Sequence, residues 1–196
     1  MARPRETEIE TVLRAAARRL AVAGIAATSV DDVAEAAGVS RATVYRYVGG
    51  KDEIVRAVIR EESVVLLDRL AHVLERSATV DRAVADVVAE ALVAIGESPV
   101  LARLSTTDLR ETLPFVTVDA GPLVGAVVDT LGPVVRRASF PVADAHLDEA
   151  LEELTRFVLT ALTTPRRDGT RLDPPAAGAR AAALVGPLLS PADRHA

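Results

Sequence analysis

The chain has 196 residues, of which 49% are hydrophobic, so it can form one domain with a substantial core or two smaller ones. It contains no cysteine, which excludes disulfides, thiolate zinc sites and cysteine nucleophiles. The net charge of −5 is unevenly distributed, because residues 1–60 hold ten basic and eight acidic side chains while the remainder is acidic. A slightly basic first third is compatible with a nucleic-acid partner whose binding depends on where the charges point.

Two other classes of partner are not expected from the sequence. The three histidines, His72, His146 and His195, are far apart and have no metal-ligand spacing, so neither a metal site nor another cofactor is predicted. The first residues lack the apolar core of a signal peptide, and no apolar run reaches the roughly 18 residues of a membrane helix. These features predict a cytoplasmic protein with no membrane partner.

A first helix is predicted from Thr7 to about Gly24. Thr7 and Glu10 have the spacing of a capping box, and glycine is the common residue after the last turn of a helix. Before it, Arg3 and Arg5 belong either to a disordered arm, which is the common state of a terminus, or to an arm that enters a minor groove. The apolar residues at helical spacing are Ile9, Val12, Leu13, Ala16, Ala17 and Leu20.

Residues 28–58 contain the most informative pattern, two short helices joined by a glycine turn. The small side chain of Ala34 suits the point where two helices cross steeply, and Gly38 tolerates the positive φ of the turn. The side chains that fill the angle between the helices are Val33, Ala37, Val39 and Val44. This is the helix-turn-helix arrangement, in which the second helix is offered to the DNA major groove.

The helix limits in this stretch follow from its capping residues. Ser29 with Asp32 has the pattern of an N-terminal cap, and Ser40 caps the helix predicted from Arg41 to about Val48. Gly49-Gly50 ends that helix. A long helix is then predicted from Lys51 to about Arg76, roughly 40 Å in length, which is enough to connect a DNA-binding head to a separate body.

The remainder of the chain is also predicted to be helical, and no strand pattern is present. Pro133 is predicted to kink its helix, and Pro187 is predicted to shorten the last one. The predicted segments are a helix over Val80–Ile95, a helix from Pro99 to about Arg110 capped by Ser98, a loop over Glu111–Pro122, helices over Leu123–Ala138 and Ala143–Thr163, a linker over Pro165–Pro175 and a final helix.

With these segments placed, residues 7–60 resemble the N-terminal domain of the TetR family of transcriptional regulators. The motifs that carry the resemblance are Thr28-Ser29-Val30, Val33-Ala34-Glu35-Ala36-Ala37-Gly38-Val39-Ser40, Thr43-Val44-Tyr45-Arg46-Tyr47, Lys51-Asp52-Glu53 and Ala57-Val58. Two departures are Val48, where the family usually has phenylalanine, and Gly49-Gly50 in place of a polar cap. They predict lighter packing and a more flexible junction at the end of the recognition helix.

The resemblance implies an all-α fold with two parts. These are an N-terminal three-helix helix-turn-helix domain, residues 1–50, and a C-terminal helical ligand-binding and dimerisation domain, residues 51–196, with the long helix 51–76 linking them. It also implies a ligand-responsive regulator that binds an inverted-repeat operator as a homodimer, with repression the commoner outcome in the family. The alternative is a helix-turn-helix protein that senses no small molecule.

The candidate DNA-binding residues lie on and beside the recognition helix. Arg41 is the best candidate for a base contact, through a bidentate pair with guanine. Tyr47 and Lys51 resemble phosphate-binding residues of the family, although a partly buried Tyr47 and a purely capping Ser29 are the competing interpretations. The full set is Thr28, Ser29, Arg41, Ala42, Thr43, Tyr45, Arg46, Tyr47 and Lys51.

Dimerisation is predicted from the last two helices, since one recognition helix reaches only a few base pairs. The candidate interface residues are Leu147, Leu151, Leu154, Val158, Leu162, Ala183, Leu184 and Leu188. The alternative is that these apolar stripes form the core of a single chain.

The body is also expected to bind a small uncharged or amphipathic effector. The candidate pocket walls are Val65, Leu66, Val88, Leu92, Leu104, Phe115, Leu123 and Val127, with ordinary core packing as the alternative for each. Polar specificity would come from His72, Arg103 or Arg110.

An enzymatic function is not predicted, and no catalytic residues are proposed. Asp148, Glu149, Glu152 and Glu153 cluster in sequence, but on a helix they form a solvated stripe beside Arg156.

Overall fold

The computed structural model describes residues 4–189, with side chains from residue 8 onward, and this part of the chain is helical with no strand. The predicted all-α fold is therefore confirmed. The helices are α1 Pro4–Ala23, α2 Val30–Ala37, α3 Arg41–Tyr47, α4 Lys51–Glu75, α5 Val80–Glu97, α6 Pro99–Leu104, α7 Leu109–Val116, α8 Gly121–Arg136, α9 Leu147–Thr163 and α10 Pro174–Leu189, with a 3₁₀ turn at Asp144–His146.

The contacts divide the chain into two compact units. Unit 1 contains the residues up to Val64 together with Glu97–Thr117, so α6 and α7 pack with the helix-turn-helix. Its core lies among α1, α2, α3, the first half of α4 and α6. The buried side chains of that core are Val12, Ala16, Leu20, Ile25, Val30, Val33, Ala34, Val44, Ile54, Val55, Val58, Val100 and Leu104.

Unit 2 contains Val65–Gly96 and the described residues after Thr117. The second half of α4, α5, α8, α9 and α10 supply its core. α10 approaches α5 so closely that a methyl group at Gly178 would overlap the backbone carbonyl of Ala85. The boundary between the two units therefore falls inside α4, between Val64 and Val65. The predicted limit at residue 50 divides the chain by function, and it stays a prediction.

Several predicted segment limits differ from the structure. α1 begins at Pro4, where a first-turn proline is favourable, and not at Thr7. α6 ends at Leu104, and the segment predicted as a loop contains α7, which includes Pro114. α10 continues through Pro187 to Leu189, so this proline does not shorten the helix. Arg3 and the side chain of Arg5 lie outside the described residues.

The apolar seam of α9 is largely core of this same chain. Leu147, Leu151 and Leu154 are buried in unit 2, so the prediction that they form a dimer face is wrong and the intramolecular alternative holds. Their burial leaves little accessible surface for a second copy. Val158 and Leu162 are half-buried, whereas Ala183, Leu184 and Leu188 are exposed on α10.

No single helix in residues 4–189 is long and apolar enough to cross a membrane. α7 and α8 would pass such a test only if they were taken together.

Candidate nucleic-acid interface

The start of α2 is fixed by a reciprocal cap, as the sequence predicts. The Ser29 hydroxyl accepts a hydrogen bond from the N–H of Asp32 at 3.2 Å, and the N–H of Ser29 donates to the Asp32 carboxylate at 2.8 Å. The hydroxyl of Ser29 also donates to that carboxylate. The hydrogen bond from the Ser29 hydroxyl, and next the one from the Ser29 N–H, lower the pKa of Asp32. Arg19 of α1 pairs with the same carboxylate at 3.2 Å.

The turn between α2 and α3 has the geometry that its glycine predicts. Gly38 has φ of +69°, and its N–H donates to the carbonyl of Glu35, while the N–H of Val39 donates to the carbonyl of Ala34. The Ser40 hydroxyl then accepts from the N–H of Thr43 at 3.1 Å and caps α3. The predicted caps and turn are confirmed.

One face of α3 packs on the core of unit 1, and the opposite face is exposed. Val44 is buried, and Arg41, Ala42, Tyr45 and Arg46 are exposed. An exposed arginine and tyrosine on the first turns of a recognition helix are suited to read base edges and to contact phosphates. Ala42 adds a small apolar surface of the kind that contacts a thymine methyl.

Arg41 is held in place by two neighbours. Its Nη1 donates to Asp31 at 2.8 Å, and its guanidinium lies 5.4 Å from the centre of the Tyr45 ring. The Tyr45 hydroxyl and then the Asp31 charge raise the pKa of Arg41, so it stays fully charged. Arg46 stacks similarly over Tyr47 at 4.6 Å.

A groove of about 360 Å³ lies at the start of α2. It is lined by residues 26–32, Arg41 and Lys51, so two cations face the N-terminal end of a helix. The Nζ of Lys51 donates to the carbonyl of Ala26 at 3.2 Å, which leaves further ammonium protons for an anion. Asp31 and Asp32 also line this groove, Asp32 paired with Arg19 and Asp31 with Arg41, so the positive charge offered to an anion there comes chiefly from Lys51. The arrangement suits a DNA phosphate.

Three predicted DNA contacts have structural roles within unit 1. Thr28 is buried, and its hydroxyl donates to the carbonyl of Gly24 at 2.7 Å, so this hydroxyl is engaged within unit 1 and a DNA contact of Thr28 stays a prediction. The Ser29 hydroxyl is occupied by Asp32. The Thr43 hydroxyl is 2.8 Å from that of Ser40 and half-buried.

The junction between α3 and α4 contains a cap that the sequence motif does not reveal. Gly49 has φ of +115°, which explains the glycine at this position. The N–H of Gly50 donates to the Glu53 carboxylate at 3.0 Å. Glu53 thus replaces the polar cap, and Val48 is half-buried against the core of unit 1.

Two residues near the interface were not identified from the sequence. Asp31 pairs with Arg41 across ten positions, and no spacing rule for a single helix predicts this contact. Asp108 belongs to the segment between α6 and α7, but its carboxylate accepts from the N–H of Ile25. No local signal links residues 83 positions apart.

The candidate effector residues are distributed over both units. Leu104 and Phe115 belong to the core of unit 1, where Arg56 lies over the Phe115 ring at 5.2 Å. Val88 is buried in unit 2, and Leu66, Leu92, Leu123 and Val127 are half-buried there. Val65 is 71% exposed and is not part of an enclosed wall, which corrects that prediction.

None of the three polar candidates for effector binding, His72, Arg103 and Arg110, lines the apolar cavity of unit 2 described below. Arg103 pairs with Asp108 at 3.1 Å, whereas His72 and Arg110 are exposed. Unit 2 contains an apolar cavity of about 30 Å³, and none of the eight candidate wall residues lines it. Its walls include Leu74, Val84, Val87, Leu131, Phe140 and Leu151.

The acidic cluster of α9 is an ion-paired surface. Arg156 pairs with Glu152 at 2.7 Å and with Glu153 at 2.8 Å, and Asp148 pairs with Arg136 at 2.9 Å. Glu149 lies 3.5 Å from His146. In the described part of the chain, no three His, Asp or Glu side chains are grouped so that they could hold a metal ion.

Comparisons with known proteins identify both parts of the chain. Residues 12–58 match the family model for bacterial regulatory proteins of the tetR family. Residues 79–187 match the model for the C-terminal domain of the bacterial tetracyclin repressor. Among curated proteins, no sequence matches this chain.

Solved structures resemble the whole chain. The TetR family repressor AlkX from Dietzia sp. strain DQ12-45-1b, implicated in biodegradation of n-alkanes, has a TM-score of 0.74 at 21% identity, with 94% of each chain covered. The fatty acid degradation regulator FadR from Bacillus halodurans has a TM-score of 0.59 at 17% identity, with 100% of each covered. FadR from Bacillus subtilis, in complex with stearoyl-CoA, has a TM-score of 0.52 at 16% identity, covering 92% of this chain and 99% of that one.

At these identities the solved structures establish a shared fold. The sequence match is the stronger finding, because the C-terminal model alone spans more than half of the 196 residues. The N-terminal model covers α2, α3 and the residues that line the groove at Lys51. The chain therefore belongs to the TetR family of DNA-binding transcriptional regulators.

Proposed function

We propose that this protein binds an inverted-repeat operator as a two-fold dimer and represses transcription until a small apolar or amphipathic effector releases it. The observation that carries the DNA-binding part is the exposed pair of Arg41 and Tyr45 beside the groove that contains Lys51. Its place of action is the cytoplasm, where the chromosomal DNA of a bacterium lies.

In the proposed complex, the first turn of α3 enters the major groove. Arg41 exchanges Asp31 for the O6 and N7 atoms of a guanine, and Tyr45 and Arg46 contact phosphate or neighbouring bases. A backbone phosphate occupies the groove at the start of α2, where Lys51 and the N–H groups of the first turn stabilise it. Tyr47 and Thr43 flank these contacts.

The dimer face is proposed on the outer side of α10. Leu184 is 60% exposed and Leu188 is 41% exposed, Ala183 is exposed on the same helix, and Val158 and Leu162 of α9 are half-buried. Exposed leucines of this kind favour contact with a second copy of the chain. A two-fold contact there would place one recognition helix on each half of an inverted repeat.

The effector class is supported by the apolar lining of unit 2. The FadR neighbour with stearoyl-CoA makes a long acyl chain the first compound to test. A drug-sized ligand needs a site of about 300 Å³ or more, whereas the apolar cavity of unit 2 is about 30 Å³. Effector binding in this apolar cavity would therefore require helices of unit 2 to move apart.

The small volume of this cavity favours the alternative, a regulator that senses no small molecule. A result in which stearoyl-CoA neither stabilises the protein nor releases it from DNA would support that alternative.

Two substitutions test the DNA contacts on the duplex that the wild-type protein enriches from a randomised library. Arg41→Ala is expected to lose affinity roughly tenfold or more and to relax the preference at one position of each half-site. Lys51→Ala is expected to weaken all sequences alike and to reduce the salt dependence of binding. Arg60→Ala, which changes charge equally on the exposed surface of α4, is the control. Undiminished binding of the Arg41→Ala protein would contradict the docking of α3.

A further inference from the structure

The turn between α1 and α2 is held from a distant part of unit 1. The carboxylate of Asp108 accepts a hydrogen bond from the N–H of Ile25 at 3.0 Å. Arg103 donates to the same carboxylate oxygen at 3.1 Å and to the carbonyl of Ala23 at 3.3 Å. Asp108 and Arg103 therefore hold the backbone on both sides of Gly24, where the turn leaves α1.

The contact is buried and closely fitted. Asp108 is 8% exposed, so its charge depends on Arg103 and on the N–H of Ile25 for stabilisation. Gly24 has φ of +82°, and a methyl group there would overlap the Asp108 carboxylate. A side chain at position 24 would therefore be strained by its backbone and would also push Asp108 out of the contact.

The same turn determines the geometry of the candidate DNA groove. The carbonyl of Gly24 accepts from the hydroxyl of Thr28, and the carbonyl of Ala26 accepts from the Nζ of Lys51. The turn ends at Ser29, which caps α2. Movement of Ile25 thus reaches both Lys51 and the first N–H groups of α2, which line that groove.

We propose that Asp108 is a positioning residue for DNA binding, which acts through the N–H of Ile25 on the start of α2 and on Lys51. The proposal rests on the proposed phosphate contacts of that groove. Asp108 itself does not touch DNA; it holds the turn whose carbonyl anchors Lys51. Arg103 acts with it, by neutralising the carboxylate and by holding Ala23.

The test compares Asp108→Ala and Asp108→Asn with the control Glu111→Ala. Glu111 is an exposed carboxylate in the first turn of α7, so the control removes an equal charge from the same region. Affinity is measured by fluorescence anisotropy on the labelled duplex that the wild-type protein enriches from randomised DNA. Hydrogen exchange of the Ile25 and Val44 amides, under conditions where each protein is folded, reports opening of the turn and of the unit 1 core respectively.

The proposal predicts a graded result. Asp108→Ala should lose roughly tenfold in affinity, the size expected for one hydrogen bond to a charged group. Asp108→Asn, which keeps an acceptor oxygen, should lose less, and Glu111→Ala should bind no more weakly than the wild type. Exchange at Ile25 should accelerate in both Asp108 variants, with no change at Val44, whereas general destabilisation of unit 1 would accelerate exchange at both sites together.

Equal affinity of the folded Asp108→Ala and wild-type proteins would overturn the proposal. If Asp108→Ala does not fold, Asp108→Asn decides, and its binding must be weaker than that of Glu111→Ala. A wild-type protein that enriches no DNA sequence would instead overturn the proposed function, together with this inference.

Discussion

Arg41 faces two competing partners, one in the free protein and one in the proposed complex. In the free protein it pairs with Asp31 and lies over the Tyr45 ring. Both members of the pair are more than half exposed, and exposed ion pairs of this kind contribute little to stability. A guanine edge that offers two acceptors can therefore displace Asp31 at small cost.

Asp31→Asn is expected to tighten operator binding, because it frees Arg41 and removes a negative charge from the groove. The control is Glu35→Gln, which makes the same charge change at an exposed position of the same helix. Binding curves at several salt concentrations should show a severalfold gain for Asp31→Asn beyond that of the control. Equal gains would indicate that the Asp31 pair does not restrain Arg41.

Acid should weaken unit 1 through Asp32. The Ser29 hydroxyl and N–H lower the pKa of Asp32 below its ordinary value of 3.8, so the folded state favours the charged carboxylate. This contribution to stability is present above the pKa of the unfolded chain and is lost as the pH falls through the pKa of the folded state. Urea unfolding of the wild type and Asp32→Asn should differ in stability above about pH 4 and converge at lower pH. If the difference in stability between the two proteins stayed constant below about pH 4, this role of Asp32 would be contradicted.

The elements differ in how far the sequence predicts them. α2 and α3 are predicted well, because Ser29, Gly38 and Ser40 encode their ends through local hydrogen bonds. α7 is not predicted, because Pro114 removes only one N–H and the remaining turns are stabilised by packing that the sequence does not display. The contact of Asp108 with Ile25 depends on tertiary structure, and no pattern along the chain indicates it.

The seam of α9 shows a second limit of sequence reasoning. Its heptad-like leucines predict burial, but not whether this chain or a second copy covers them. Leu147, Leu151 and Leu154 are covered by their own chain. The proposed dimer surface therefore uses other side chains such as Leu184, whose exposure only the structure reveals.

Substitution by alanine is expected to have opposite effects on stability at two helical glycines, one at the close contact of α10 with α5 and one in α8. Gly178→Ala should destabilise the protein by about 1–3 kcal/mol, because the new methyl group overlaps the backbone of Ala85 and the helices must separate. Gly125→Ala in α8 should stabilise it by about 0.5–1 kcal/mol, since alanine favours a helix and nothing lies within 4 Å of the added atom. Chemical unfolding of both variants provides the measurement. A Gly178→Ala protein that is as stable as the wild type would show that the crossing is not as tight as the structure indicates.

For the whole molecule, the proposed dimer depends on exposed apolar surface that belongs to α10. Leu184→Asp should shift the protein to a monomer, because it places a charge at the centre of that surface. Val118→Asp is the matched control, since Val118 is 90% exposed and lies outside α9 and α10. Sedimentation velocity at micromolar concentration distinguishes them. A monomeric wild type, or a dimeric Leu184→Asp protein, would exclude this interface.

The acidic chain can still bind DNA because its two parts differ in charge. The first 60 residues are slightly basic, and their cations Arg41, Arg46 and Lys51 lie on or beside α3. The remainder carries the excess of acidic side chains. Specific contacts must therefore supply the affinity, since bulk attraction to the phosphate backbone is weak.

The most direct test of this account is a competition binding measurement with the wild-type protein. The labelled duplex is the one enriched from randomised DNA, and the competitors are that duplex and a permuted sequence of the same composition. The account predicts an enriched inverted repeat, with half-sites about one helical turn apart or a multiple of it, that competes far more strongly than the permuted duplex. Equal competition by the two duplexes would contradict it.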